Sequence, residues 1–204
     1  MLVQDVVNMA KEGELSTLGI KDDDSRTLGY MNLGMIELYK RFPLKTEEYL
    51  FERTIGTEFY TMPSNLMWIQ TAHGTVMVDG KLSLSRLAIN EENNTLSVNT
   101  VSWNKIQVSS GVAAGDISLV YIASPDTYTV ADLGKVIDLP TQLVEALLNY
   151  IGYRAHGALD GKINTENNTH YQRFEASCRR VELHGMFTPD DLDTSNRLSN
   201  RGFV

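Results

Sequence analysis

The chain has 204 residues, 42% of them hydrophobic and 22% charged, enough to bury roughly 70% of the surface its unfolded form exposes. No stretch approaches the ~20 consecutive apolar residues of a membrane helix, and the opening "MLVQDVVNMAKEGEL" lacks the parts of an export signal, which implies no membrane and assembly in a cytoplasm. Of the net charge of −8, residues 46–139 carry −6 (five basic, eleven acidic), and so acidic a surface argues against tight nucleic-acid binding driven by counterion release while leaving room for contact with DNA that slides without sticking.

Leu2 to Lys11 predicts a short amphipathic helix with Val3, Val6, Val7 and Ala10 on one face, ended by Gly13. The run "KDDDS" then supplies acids that cap a second helix, Ser25 to Phe42, and complement its dipole; three adjacent acids with no histidine nearby make a poor metal site. In that helix Leu28, Met31, Met35, Leu38 and Phe42 fall at spacings of 3, 4, 3 and 4, a single apolar seam stopped by Pro43.

From Glu48 the period becomes alternating. "EYLFERTI", "EFYTMP", "NLMWIQTA" and "TVMV" read as strands, and "VMVDGKLSL" as a hairpin turning at Asp79-Gly80. Further strands are expected at Arg86 to Ile89, Thr95 to Val101, Ile106 to Val108 and Ile117 to Ala123. The helical period returns with a third helix, Pro140 to Leu159, "DGKIN" turns the chain, and a fourth helix runs from Thr165 to Leu183. The last stretch, "TPDDLDTSNRLSNRGFV", is polar and aperiodic.

This order predicts an α+β fold: a four-helix bundle core with an antiparallel β insertion between helices 2 and 3, and an extended C-terminal tail. The corresponding organisation is 1–45 for the first two helices, 46–139 for the insertion, 140–186 for the helical hairpin and 187–204 for the tail.

The usual catalytic signatures are missing: no P-loop, dinucleotide fingerprint, nucleophile elbow or HExxH. Cys178, the single cysteine, excludes an internal disulfide and reads as a small buried filler. His156 and Asp160, four apart, and Glu166 and His170, four apart, could converge across an antiparallel helix pair as weak candidates for a divalent metal. The bland alternative is a set of solvated residues near a surface turn. No cofactor is expected. Arg173, Arg179 and Arg180 are interleaved with Glu175 and Glu182, a mixed-charge helix face rather than a phosphate reader.

Within the third helix, Gly152 and Gly157 interrupt good helix formers at about 1 kcal/mol each. The stripe Val144, Leu148, Ile151, Ala155, Ala158 shrinks toward the hairpin, with Gly152 beside it. That taper predicts close helix packing, within the bundle or between subunits, at Leu148, Ile151, Gly152, Ala155 and Ala158.

The phrases "RTLGYMNLGMIELYKRFPLKTEE", "EFYTMPSNLMWIQTA" before a hairpin, "DLPTQLVEALLNYIGYRAHGALDG" and "NNTHYQRFEASCRRVELHG" together resemble the head-to-tail adaptor (connector, neck or head-completion) proteins of tailed bacteriophages, among them the upper tail tube protein of short-tailed phages. The similarity covers residues 1–186. It implies a non-enzymatic virion protein of which many copies, typically twelve, form a ring under the portal, extend the channel for passing genomic DNA and dock the next tail or neck protein. It also implies that the C-terminal tail grips the portal, where Leu198 and Phe203 would be apolar anchors and Arg197 and Arg201 polar contacts. A tail completion or tail terminator protein binding the tail tube is the alternative of the same kind, and a metal-dependent hydrolase a remote one.

Overall fold

The computed structural model describes residues 1–20, 22–160 and 168–185, the side chains of 159 and 160 excepted. These residues form two units, each with its own core. The helical unit comprises Met1–Leu44 and the described residues from Pro125 onward, and the sheet unit is Lys45–Ser124.

In the helical unit, α1 (Val3–Glu12) buries the expected stripe of Val3, Val6, Val7 and Ala10. α2 (Asp24–Arg41) begins where the acidic run predicts a cap, since the Asp23 carboxylate accepts the Arg26 N–H at 2.9 Å. It buries Leu28, Met31, Met35 and Leu38, and stops at Phe42, which is extended as a residue before proline must be. α3 (Val144–Asp160) follows Pro140 and one 3₁₀ turn. α4 (Thr169–Leu183) is capped by Asn168, whose side-chain oxygen accepts the N–H groups of His170 and Tyr171.

The irregular segment from Pro125 to Leu139 also belongs here. Asn32 on α2 clasps it by accepting the Tyr128 N–H at 3.0 Å and donating to the Tyr128 carbonyl at 2.8 Å. The buried Tyr39 hydroxyl donates to the Asp138 carbonyl at 2.7 Å, and the Ile137 N–H reaches the Met1 carbonyl at 3.1 Å.

The sheet unit has seven strands: β1 (Thr46–Arg53), β2 (Phe59–Thr61), β3 (Leu66–Val78), β4 (Lys81–Ile89), β5 (Ser97–Ser102), β6 (Lys105–Val108) and β7 (Val112–Ala123). Their order is β1-β7-β3-β4-β5-β6-β2. The β3–β4 hairpin turns at Asp79 (φ 48°) and Gly80 (φ 77°), the two positive angles a two-residue type I′ turn demands. β3 runs unbroken through His73-Gly74, where the sequence pattern suggests a gap, because register shifts in its pairing with β7 absorb the irregularity.

The sheet curls around its own core of Met62, Ala72, Val76, Leu87, Val98, Ile106, Val108, Val112, Ile117 and Leu119. Its terminal strands are brought together by the curl: Phe51 of β1 and Tyr60 of β2 have ring centroids 4.7 Å apart. Buried Arg53 at the end of β1 donates to the carbonyls of Val112 and Ser109, pinning the turn before β7.

The expected four-helix bundle core with an antiparallel insertion is therefore corrected, although α+β stands as the overall class. The described residues form four helices and a seven-stranded curled sheet that is mixed, since β4 and β5 pair in parallel at Ala88–Ser97 and Ile89–Val98. Nor do the helices share one bundle seam: α3 lies centrally against α1, α2 and α4, and the irregular 125–143 segment contributes Tyr128, Ile137, Leu139 and Leu143 to the same buried set. The periodicity of each helix specified a buried stripe but not which element would cover it.

Candidate functional site

α3 is buried on more than one stripe. Ala146, Leu147, Tyr150, Ile151, Gly152, Tyr153 and Ala155 are all buried, as expected of a helix with neighbours on several sides. Of the residues predicted to pack closely, Ile151, Gly152 and Ala155 are buried, Leu148 is half-buried and Ala158 is exposed. At Gly152 the reason for glycine is explicit. A Cβ there would lie 2.8 Å from His170 Nδ1, 3.1 Å from Glu14 Oε2 and 3.2 Å from Glu14 Cβ. Gly34 on α2 is a second such position, missed in the sequence: its Cβ would lie 2.6 Å from Leu147 Cδ1.

The groups that Gly152 admits form a small polar cluster. His156 and His170 stack with ring centroids 4.6 Å apart and an interplanar angle of 17°, and Glu14 Oε2 lies 2.8 Å from His170 Nδ1. His156 Nε2 is 3.2 Å from the Glu14 carbonyl. Burial pushes the His170 pKa below that of an ordinary histidine; Glu14 works against the shift, while His156 and Arg173 add to it. Two of the four metal candidates thus meet, joined by Glu14, while Glu166 and the Asp160 side chain lie outside the described residues. Among the described residues no three His, Cys, Asp or Glu side chains are placed to hold a metal ion.

Four rings form a chain between α3 and α4: Tyr150–Phe174 at 5.2 Å, Tyr150–Tyr153 at 5.7 Å, Tyr153–Tyr171 at 5.0 Å and Tyr171–Phe174 at 5.9 Å. They floor a groove of about 490 Å³ rimmed by Glu37, Lys40, Arg41, Arg154 and Glu175. Arg41 crosses from α2 to α4, donating to Glu182 at 2.6 Å and to Glu175 at 2.8 Å. The two acids that dilute the α4 arginines are therefore occupied by a cation from another helix. Arg180 meets Glu145 at 3.2 Å. The Arg154 Nε is buried with no hydrogen-bond partner among the described residues. Cys178 is fully buried, and burial pushes its thiol up to about 12, so it is no nucleophile at neutral pH.

Apolar groups also face outward. Leu33 and Ile36 on α2, and Met77, Leu82 and Leu84 at the β3–β4 hairpin, are exposed.

A sequence model described as "SU10 adaptor protein" matches residues 2–199, nearly the whole chain. The chain belongs to the SU10 adaptor protein family. It is a phage adaptor protein, as the resemblance of its helical phrases implies. No curated protein matches it. The adaptor's tail, with Arg197, Leu198, Arg201 and Phe203, lies outside the described residues. Within them, no helix is long and apolar enough to cross a membrane. Sequence reasoning missed Glu14, Gly34, Arg41 and Arg53, whose partners all lie far along the chain. The signals for Gly152 were its propensity cost and its place beside the tapering stripe of α3.

Proposed function

We propose that the adaptor assembles as a ring, typically of twelve copies, below the phage portal, extends the DNA channel and docks the next neck or tail protein. The observation that carries this reading is the family match over residues 2–199. Each unit has its own core and its own exposed apolar groups, which suits a subunit that must meet several neighbours at once. The net charge of −8 suits a conduit that lets genomic DNA pass without holding it. Residues 187–204 are the portal-gripping segment in this reading, with Leu198 and Phe203 as anchors and Arg197 and Arg201 as polar contacts.

Size-exclusion chromatography with and without purified portal tests it. The adaptor should be a monomer or weak oligomer alone and a ring on the portal, and removal of residues 187–204 should abolish attachment. A stable monomer indifferent to portal refutes the reading.

A further inference from the structure

We propose that the groove between α2, α3 and α4 holds the root of the adaptor's own C-terminal tail, with Asp190 on Arg154 and Leu192 on the rings, so that residues 194–204 leave from this point. The inference concerns a single subunit and goes beyond the ring reading without depending on it. The groove is floored by Tyr150, Tyr153, Tyr171 and Phe174, and its rim carries three cations and two acids. Two of the cations are engaged within the chain: Lys40 pairs with Glu37 at 2.8 Å, and Arg41 bridges Glu175 and Glu182. The same pairs neutralise both rim acids. Arg154 is the cation left over. Its Nε is buried with no hydrogen-bond partner, and no ion pair among the described residues includes it. A charged donor withdrawn from water without a contact to offset the loss is destabilising, and a carboxylate is the group that satisfies a guanidinium best. The rings beside it call for an apolar side chain close to that carboxylate.

The point at which the chain leaves α4 says which segment fits. Gly185 closes the helix with φ 64°, the left-handed conformation that turns a chain off the helix axis. Residues 186–204 follow it. Phe174 on the groove floor precedes Gly185 by eleven residues, about 16 Å along the helix at 1.5 Å per residue. An extended chain covering roughly 3.3 Å per residue returns over that distance in about five residues, which is Asp190. The charge agrees with the reach. The stretch "MFTPDDLD", residues 186–193, has three acids and no basic residue, whereas 194–204 has two arginines and no acidic side chain. In an extended segment alternate side chains share a face, so Asp190 and Leu192 point the same way. One contact therefore gives Arg154 its carboxylate and lays an aliphatic side chain on the rings. It also leaves Arg197, Leu198, Arg201 and Phe203 beyond the docked root, where the proposed portal-gripping residues have to be.

A nitroxide spin label on the full-length Thr194→Cys variant reads the docking, since the native Cys178 is buried and takes no label. Its paramagnetic resonance spectrum should show a slow-motion component that is lost in Asp190→Asn and in Leu192→Ser. Asp191→Asn, on the opposite face of the segment, should keep it. Arg154→Glu should lose it, and Arg154→Glu/Asp190→Arg should regain it. An unchanged helical signal at 222 nm separates undocking from unfolding, and the tail variants, which lie outside the described helices, decide the matter if Arg154→Glu does not fold. A label that moves fast in the otherwise wild-type chain overturns the proposal, and so does a slow component indifferent to Asp190 and Leu192. Failure of a folded swapped pair to recover overturns it as well. A slow component that fades on dilution does the same, because the groove would then hold the tail of another copy. The ring reading is judged separately by portal binding: a docked tail in a chain that ignores portal refutes that reading and leaves this one standing.

Discussion

Substituting alanine for Gly152 sets two opposed effects against each other. Glycine inside a helix costs about 1 kcal/mol relative to alanine, so Gly152→Ala should stabilise α3 by that amount if the new methyl had room. It has none: Cβ would sit 2.8 Å from His170 Nδ1 and 3.1–3.2 Å from two atoms of Glu14. The His170 ring is held by its stack on His156, so relief requires α4 or the Glu14 segment to move. Overpacking of this kind costs about 1–3 kcal/mol, which outweighs the propensity gain and leaves a net loss of about 1 kcal/mol. The control is Gly29→Ala at an exposed position of α2, where nothing lies within 4 Å of the added Cβ and the same substitution should gain roughly 0.4–1 kcal/mol. Thermal unfolding followed by circular dichroism should show Tm moving down by about 2–4 °C for Gly152→Ala and up by a similar amount for Gly29→Ala. Adding His170→Ala to Gly152→Ala should recover part of the loss, because the closest clash is gone. Gly152→Leu should be worse than Gly152→Ala and impair assembly as well. If Gly152→Ala stabilised the protein as much as Gly29→Ala, the packing argument for that glycine would be wrong.

Acidification should weaken the helical unit. The folded His170 pKa is depressed below its unfolded value of about 6.5, so the unfolded state binds more protons; the contribution is intact above that pH and is lost as pH falls below it. Glu182, held below the usual carboxylate range by its hydrogen bonds with Arg41, loses its contribution only below about pH 4.5, so a Tm decline between pH 7 and 5 that flattens in His170→Gln identifies the histidine. Arg41→Ala should cost about 1 kcal/mol, a modest figure because its partners are 43% exposed, and the loss should shrink in high salt; an unchanged salt dependence would argue against the α2–α4 bridge. Gly80→Val places a β-branched residue at φ 77° and should destabilise the sheet unit by about 1–2 kcal/mol in urea denaturation, with the helical signal at 222 nm less affected.

What could be read in the sequence is what local geometry fixes. The apolar stripes of α1 and α2, the Asp23 cap and the Asp79-Gly80 turn each depend on residues within one helical turn or one hairpin, and each leaves a period or a short motif. The family phrases were legible for the same reason, as strings of neighbouring residues. The tertiary structure alone decided what covers each stripe. It placed Glu14 beside Gly152 and His170, carried Arg41 to two acids on α4, curled the sheet until Phe51 met Tyr60, and turned Arg53 inward to the carbonyls before β7. Apart from Phe51 and Tyr60, which are nine residues apart, these partners lie tens to more than a hundred residues apart, and contacts over such distances follow from the packing of whole elements. They impose no spacing on the chain, so a helix can announce its buried face without naming its neighbour, and a bundle predicted from four such faces becomes a central helix with a separate curled sheet.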